Sequence, residues 1–289
     1  MALVIRRFRL VVLLVLTGSC KADSYLFQTD RVADYDPPAE LSVPASDLVE
    51  VSFRAGADTL YGFYFHHTGT DGYPRTVLLS HGRNGNVARP PEWSRATAIY
   101  FGGFDVLAYD YRGYGRSTGT SVSEATIDSD ATAALAYLQG TLGVPDSELI
   151  LYGHSIGATP TLALAERVGG GSAVVLESAF TSAQEMARTA TLVDAPVSWF
   201  LRGSFDNIDQ LPRIHLPVLI LHGTLDPEVP VSQAAELYAR AGQPKYLKIF
   251  PRAAHDDISE QPDFADALYQ LGLMTGVVHA DSRRPTSGP

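Results

Sequence analysis

Cysteine is almost absent from this chain: its 289 residues include one, Cys20. A single cysteine cannot form an intramolecular disulfide, so the fold does not depend on disulfides. Basic residues are also scarce, with 22 Lys and Arg against 32 Asp and Glu and a formal net charge of −10. This balance argues against a nucleic-acid partner, because phosphate binding needs a basic surface. The sequence contains neither an HExxH motif nor a P-loop, so it predicts no metal and no cofactor.

A hydrophobic run long enough to span a bilayer is also missing at the N-terminus. The apolar run at residues 10–16 is short and follows three arginines, as in an export signal. The stretch ending at Cys20 resembles a bacterial lipoprotein signal, although Thr17 stands where leucine is commonest. We predict a lipoprotein-type signal peptide over residues 1–19, lipid attachment at Cys20, and a membrane-anchored protein of the bacterial cell envelope on its periplasmic or outer-membrane side. An ordinary signal peptide with an incidental cysteine is the alternative.

Apolar residues are plentiful, at 45% of the chain with a mean hydropathy of +0.01, which is typical of a soluble protein with a large core. Residues 20–47 show no sustained periodicity and contain three prolines, so we predict a tether there. Regular patterns begin at residue 48 and end near residue 275, which gives one domain over 48–275. Residues 276–289 read as a disordered tail.

Within that domain, strand-like and helix-like patterns alternate after an initial hairpin at residues 48–67. We expect strands at 75–82, 104–113, 147–153, 172–178, 216–223 and 245–251, and helices at 91–102, 121–143, 155–168, 232–242 and 263–273. Ser121 and Glu124 have the spacing of a capping box at the start of the long second helix. Alternation with almost continuously apolar strands predicts an α/β fold with a mainly parallel sheet covered on both faces.

The hinge between one strand and the next helix carries the sequence "GHSIG", with Ser155 at its centre. Two glycines around a serine at such a hinge are typical of a tight turn that presents the hydroxyl to a substrate. A serine hydroxyl is a weak nucleophile at neutral pH, so it needs an imidazole base, and the imidazole needs a carboxylate to orient it. A turn used only for close strand–helix packing is the alternative interpretation.

Asp226 and His255 follow Ser155 at the ends of later strands and are the candidates for acid and base. His255 is chosen among eight histidines because it lies in a loop after a late strand. Glu177, which ends the preceding strand, is the rival acid. The tetrahedral oxyanion would need backbone N–H donors, for which we predict the amides of Ile156 and Arg83.

Six stretches together resemble the α/β-hydrolase superfamily in order and spacing: "LLSHGRNGN", "DYRGYGRSTG", "LILYGHSIGA", "LESAFTS", "PVLILHGTLDPEVP" and "PRAAHDD". They are most similar to its small-lid branch of bacterial serine-aminopeptidase-like and dienelactone-hydrolase-like proteins and eukaryotic membrane-linked depalmitoylating hydrolases. The resemblance covers residues 48–275 and implies an eight-stranded, mainly parallel sheet with a short lid. Arg83 departs from the family, in which asparagine often follows His-Gly.

The resemblance also implies a cofactor-free serine hydrolase acting on small-molecule esters, thioesters or small amides through an acyl-enzyme. The segment available for a lid, residues 180–214, is short and suggests short or medium acyl chains. Its Trp199, Phe200 and Leu201 form either an apolar lip or part of a packing helix. Two alternative functions are a catalytically inactive envelope binding lipoprotein and a peroxidase or lyase on the same fold. The sequence does not predict the oligomeric state.

Overall fold

The computed structural model of the protein describes residues 27–39, 43–68, 72–168, 170–171, 173–189 and 205–278. The predicted signal peptide, Cys20, residues 190–204 of the predicted lid and residues 279–289 of the predicted tail lie outside these ranges. Among the helices that are described, none has both the length and the apolar character needed to cross a membrane.

An eight-stranded sheet forms the centre of the domain, as predicted. The described ranges contain the strands β1 (Gln28–Thr29), β2 (Leu48–Ala55), β3 (Asp58–Phe65), β4 (Thr76–Ser80), β5 (Asn84–Gly85), β6 (Asp105–Tyr109), β7 (Leu149–His154), β8 (Ala173–Glu177), β9 (Val218–Gly223) and β10 (Lys245–Phe250). The sheet order is β10-β9-β8-β7-β4-β6-β3-β2, and β1 pairs with β5 separately. β3 is antiparallel to both β2 and β6, and the other pairs are parallel.

Helices cover both faces of this sheet. In the part of the chain that the structure describes, they are α1 (Glu92–Phe101), α2 (Glu124–Gly140), α3 (Ala158–Val168), α4 (Ala183–Thr189), α5 (Asn207–Gln210), α6 (Val231–Arg240) and α7 (Phe264–Met274). Successive residues of β4 enter different cores: Leu78 packs with the buried residues of α2, α3 and α6, whereas Val77 and Leu79 pack with those of α1 and α7. Every residue of β4 is buried, which explains its continuous apolar sequence.

The start of α2 differs from the prediction. The helix begins at Glu124, and its capping box is formed by Ser123 and Thr126 rather than by Ser121 and Glu124. The Thr126 hydroxyl accepts the Ser123 N–H at 2.7 Å and so takes the role that a glutamate usually has. The Glu124 carboxylate instead accepts the N–H of Phe205 at 2.9 Å.

Residues 27–39, which the sequence assigned to a tether, pack onto the domain. Phe27 is buried in the core, and the Gln28 N–H donates to the carbonyl oxygen of Arg83 at 3.0 Å. The Tyr35 hydroxyl donates to the buried Asp110 carboxylate at 2.5 Å. The segment shows no periodicity because its only strand, β1, is two residues long.

Candidate active site

Ser155 lies at the sharp turn that the sequence indicates. It follows β7 directly and is the first residue of a short 3-10 helix, Ser155–Gly157, which leads into α3. Its φ of +53° is in the left-handed region, which is costly for a residue with a side chain and is typical of functional turns. A Cβ at Gly157 would overlap the carbonyl oxygen of Ser80 at the end of β4. Glycine is therefore required there for the turn to approach the neighbouring strand.

A continuous chain of hydrogen bonds connects Ser155, His255 and Asp226. His255 Nε2 lies 2.9 Å from Ser155 Oγ, and His255 Nδ1 lies 2.7 Å from Asp226 Oδ2. The other carboxylate oxygen of Asp226 accepts the backbone N–H groups of Glu228 and Val229, each at 2.8 Å. The structure thus brings together the three side chains predicted as nucleophile, base and acid.

Close packing of two loops brings the acid and the base together. Gly223 ends β9, and a Cβ there would overlap the carbonyl oxygen of Ala253 in the loop that carries His255. The N–H of Leu225 donates to the same carbonyl at 2.9 Å. The loop after β9 and the loop after β10 are therefore fixed against each other, which sets the separation of Asp226 and His255.

The surroundings of His255 and Asp226 shift the pKa values of both side chains in directions that suit base catalysis. Burial alone would lower the pKa of His255, but its hydrogen bond to Asp226 and the charges of Asp226 and Glu228 raise it above its usual value. Burial alone would raise the pKa of Asp226, yet hydrogen bonds to His222 and His255 hold it well below its usual range. At neutral pH, Asp226 is therefore a carboxylate.

Sequence reasoning missed the contact between His222 and Asp226. His222 is fully buried, and its Nε2 lies 2.9 Å from the Val229 carbonyl oxygen and 3.4 Å from Asp226 Oδ2. Both neighbours are acceptors, so this nitrogen carries the hydrogen. The four-residue spacing from His222 to Asp226 across a strand end was the available signal in the sequence.

The rival acid, Glu177, is engaged elsewhere. Its two carboxylate oxygens accept from Nε and Nη2 of Arg95, both at 2.9 Å, and it also accepts the hydroxyl of Tyr152. Burial raises the pKa of Glu177, but the Arg95 guanidinium outweighs this effect and holds it below its usual value. The geometry therefore favours Asp226 over Glu177 as the partner of His255.

The predicted oxyanion donors lie on two loops that touch. Ile156 follows Ser155 directly, and Arg83 lies in the loop between β4 and β5. A Cβ at Gly82 would lie 2.8 Å from the ring of His154, which shows how closely the loops pack. The carbonyl of Arg83 accepts the Tyr114 hydroxyl at 2.8 Å, and its guanidinium donates to Glu228 at 3.0 Å. The donor role of the two amides remains a prediction.

One group of side chains in the described residues has the proximity of metal ligands: His154, His255 and Asp256. Both ring nitrogens of His255 are already engaged, by Ser155 and by Asp226. We therefore do not identify this group as a metal site. A surface groove between α1 and α7, lined by Phe101, Phe264 and other residues, contains none of the three candidate catalytic side chains.

Comparison with known proteins shows relatives along most of the chain. A family model described as serine aminopeptidase, S33 matches residues 73–209. An uncharacterized protein of Mycobacterium tuberculosis is 33% identical over 238 residues, covering 82% of this chain and 81% of that protein. The human alpha/beta hydrolase domain-containing protein 17B is 30% identical over 201 residues, covering 68% of this chain and 65% of that protein.

Solved structures share the fold at lower identity. An alpha-beta hydrolase from Vibrio vulnificus superposes with a TM-score of 0.67 at 21% identity, covering 78% of this chain and 81% of that chain. The Pyrococcus furiosus esterase Pf2001 superposes with a TM-score of 0.65 at 21% identity, covering 86% of this chain and 98% of that chain. These similarities confirm the predicted architecture.

Proposed function

The chain belongs to the α/β-hydrolase superfamily, and from that premise we propose that it is a cofactor-free serine hydrolase acting on carboxylic esters, thioesters or small amides. The observation that carries the proposal is the hydrogen-bonded chain from Ser155 through His255 to Asp226. Serine, imidazole and carboxylate in this arrangement are what acyl transfer to a hydroxyl requires.

Acylation would begin when Ser155 Oγ attacks the substrate carbonyl carbon while His255 Nε2 takes the hydroxyl proton. Asp226 stabilises the imidazolium that forms, and it holds the proton on Nδ1 so that Nε2 is free to accept. The N–H groups of Ile156 and Arg83 would donate to the tetrahedral oxyanion, each worth about 3–4 kcal/mol. His255 then protonates the leaving group, and the C–O, C–S or C–N bond breaks to leave an acyl-enzyme.

Deacylation would repeat the same steps with water. His255 removes a proton from a water molecule that attacks the acyl carbonyl, and Ser155 leaves with that proton to regenerate the free enzyme. Substrate and water are the only reactants that the two steps need besides the side chains of the protein. The segment available for a lid, residues 180–214, is short, so we expect short or medium acyl chains to be preferred.

Turnover of p-nitrophenyl acetate, butyrate and octanoate by the purified full-length chain tests this function. The wild-type protein should hydrolyse at least the shorter esters, and Ser155→Ala should lose that activity. Ser123→Ala is the control, because it removes a helix-capping serine at a cost of about 1 kcal/mol without touching the relay. Undetectable turnover by the wild type would favour one of the two alternatives, the inactive binding protein or the peroxidase or lyase. Full activity in Ser155→Ala would exclude Ser155 as nucleophile.

We also propose that Cys20 is lipidated and anchors the enzyme to a membrane of the bacterial cell envelope. The N–H of Gln28 donates to the carbonyl of Arg83, and a chain of seven residues such as 20–26 spans at most about 25 Å when extended. An anchor there would keep the catalytic edge of the sheet near the bilayer. Cys20→Ser should move the protein to the soluble fraction with its esterase activity intact; retention in the membrane fraction would contradict the anchor.

A further inference from the structure

A cluster of buried charged side chains lies behind the candidate active site. It consists of Glu92 and Arg95 on α1, Tyr152 and His154 on β7, and Glu177 at the end of β8. None of these residues is more than 2% exposed. The hydrolytic relay uses none of them, although His154 is the residue before Ser155.

The charges of this cluster do not balance if Arg95 is its only cation. The Arg95 guanidinium donates to both oxygens of Glu177 at 2.9 Å and to Glu92 Oε2 at 2.6 Å. One cation therefore faces two buried carboxylates. An unbalanced buried charge costs several kcal/mol, so a second cation beside Glu92 would stabilise the cluster.

His154 has the contacts expected of that second cation. Its Nδ1 lies 3.1 Å from Glu92 Oε1. Its Nε2 lies 3.3 Å from the carbonyl oxygen of His255 and 3.5 Å from Asp256 Oδ1. All three neighbours are hydrogen-bond acceptors, whereas a neutral imidazole would direct a lone pair at one side of this arrangement. Hydrogen on both ring nitrogens would satisfy acceptors on both sides of the ring.

We propose that His154 is a buried imidazolium that positions the nucleophile turn, the oxyanion loop and the His255 loop relative to one another. Glu92 Oε1, which faces His154, also accepts the N–H of Gly82 at 3.2 Å, one residue before Arg83. The Nε2–H of His154 donates to the carbonyl of His255, which also accepts the Ser178 hydroxyl at 2.9 Å. One ring thus connects the three loops that carry the proposed chemistry.

His154 is a positioning residue in this proposal, since it acts through its neighbours and not on the substrate. The effect of His154 on turnover rests on the proposed hydrolase function. The charge of its ring is independent of that function, because it is inferred from the acceptors around the ring. The two parts can therefore be measured separately.

Nitrogen-15 NMR of the full-length protein tests the charge directly. At pH 7.5, with the His154 ring assigned by through-bond correlation to its own backbone, both nitrogens should have the shifts of a protonated imidazolium. A spectrum of a neutral tautomer would overturn the proposal. This measurement uses the wild-type protein, so it is decisive even if substitutions of His154 do not fold or if no ester is turned over.

Steady-state kinetics with a p-nitrophenyl ester test the positioning role. His154→Ala should lower kcat by about 10²-fold with KM little changed, because a small displacement of reacting groups has an effect of that size. His154→Gln should recover part of the loss, since its amide N–H can still donate toward the His255 carbonyl. Tyr152→Phe is the matched control: it removes one hydrogen bond in the same cluster, and the partner in that bond is Glu177 rather than one of the three loops.

Melting temperatures separate positioning from loss of stability. Tyr152→Phe should lower the Tm while leaving kcat within about twofold of wild type. Equal kcat values for His154→Ala and Tyr152→Phe, or losses of kcat that simply follow the loss of Tm in both variants, would overturn the positioning role. An inactive wild-type protein would contradict the hydrolase function instead.

Discussion

Replacing Asp226 by asparagine exchanges one carboxylate oxygen for an amide nitrogen in the hydrogen-bonded chain of Ser155, His255 and Asp226. The side-chain oxygen that accepts the N–H groups of Glu228 and Val229 at 2.8 Å must remain an acceptor, so the new amide nitrogen takes the position of Oδ2. That nitrogen would then face His255 Nδ1 at 2.7 Å as a donor. His255 would have to accept at Nδ1 and move its proton to Nε2, where it could no longer accept the proton of Ser155.

The expected loss follows from this change of tautomer. We predict that Asp226→Asn lowers kcat by about 10³–10⁴-fold, or roughly 4–5.5 kcal/mol of activation free energy, with KM changed far less. The fold should persist, because the substitution preserves shape and both backbone hydrogen bonds. Far-UV circular dichroism and thermal unfolding of the purified variant check that point.

The assay is the turnover of p-nitrophenyl butyrate, with Glu228→Gln as the control. Glu228 is on the same loop, and its carboxylate accepts a hydrogen bond from Arg83 at 3.0 Å, whereas the ring of His255 is hydrogen-bonded to Asp226 and Ser155. Its substitution should change kcat by less than about tenfold. If folded Asp226→Asn retains more than about a tenth of wild-type kcat, or if Glu228→Gln loses as much, the assignment of Asp226 is refuted.

Two further predictions concern pH and the nucleophile turn. Since Asp226 raises the pKa of His255 above its usual value and only the neutral imidazole can accept a proton, kcat/KM should rise with pH through a midpoint above about 6.5; a profile that is flat from pH 5 to 9 would contradict His255 as base. Gly157→Ala should lower both kcat and Tm, because its Cβ would overlap the carbonyl oxygen of Ser80. Wild-type activity and Tm in that variant would show that the turn does not need this close approach.

The elements that could be predicted from the sequence are those whose signals are local. β4 and β7 are wholly buried, so their apolar runs identify them, and the glycines around Ser155 mark the turn. The predicted start of α2 was wrong because a threonine hydroxyl can replace the glutamate of a capping box. The packing of residues 27–39 was missed because it depends on two short strands and a few side chains.

The features that could not be predicted depend on interactions between residues that are far apart in the sequence. Arg95 and Glu177 are 82 residues apart, and neither sequence neighbourhood indicates that they pair. Glu177 was for that reason a reasonable candidate acid until its partner was known. The same holds for His154, whose role depends on acceptors contributed by α1 and by the loop after β10.

The most direct test of the central claim is to locate the covalent adduct of a fluorophosphonate probe by mass spectrometry. Intact-mass analysis of the labelled full-length protein should show one adduct per chain, and peptide mapping should place it on Ser155. Ser155→Ala should remain unlabelled, whereas Ser123→Ala should label like the wild type. An unlabelled wild-type protein, or an adduct on any other residue, would contradict the assignment of Ser155 as the nucleophile of a serine hydrolase.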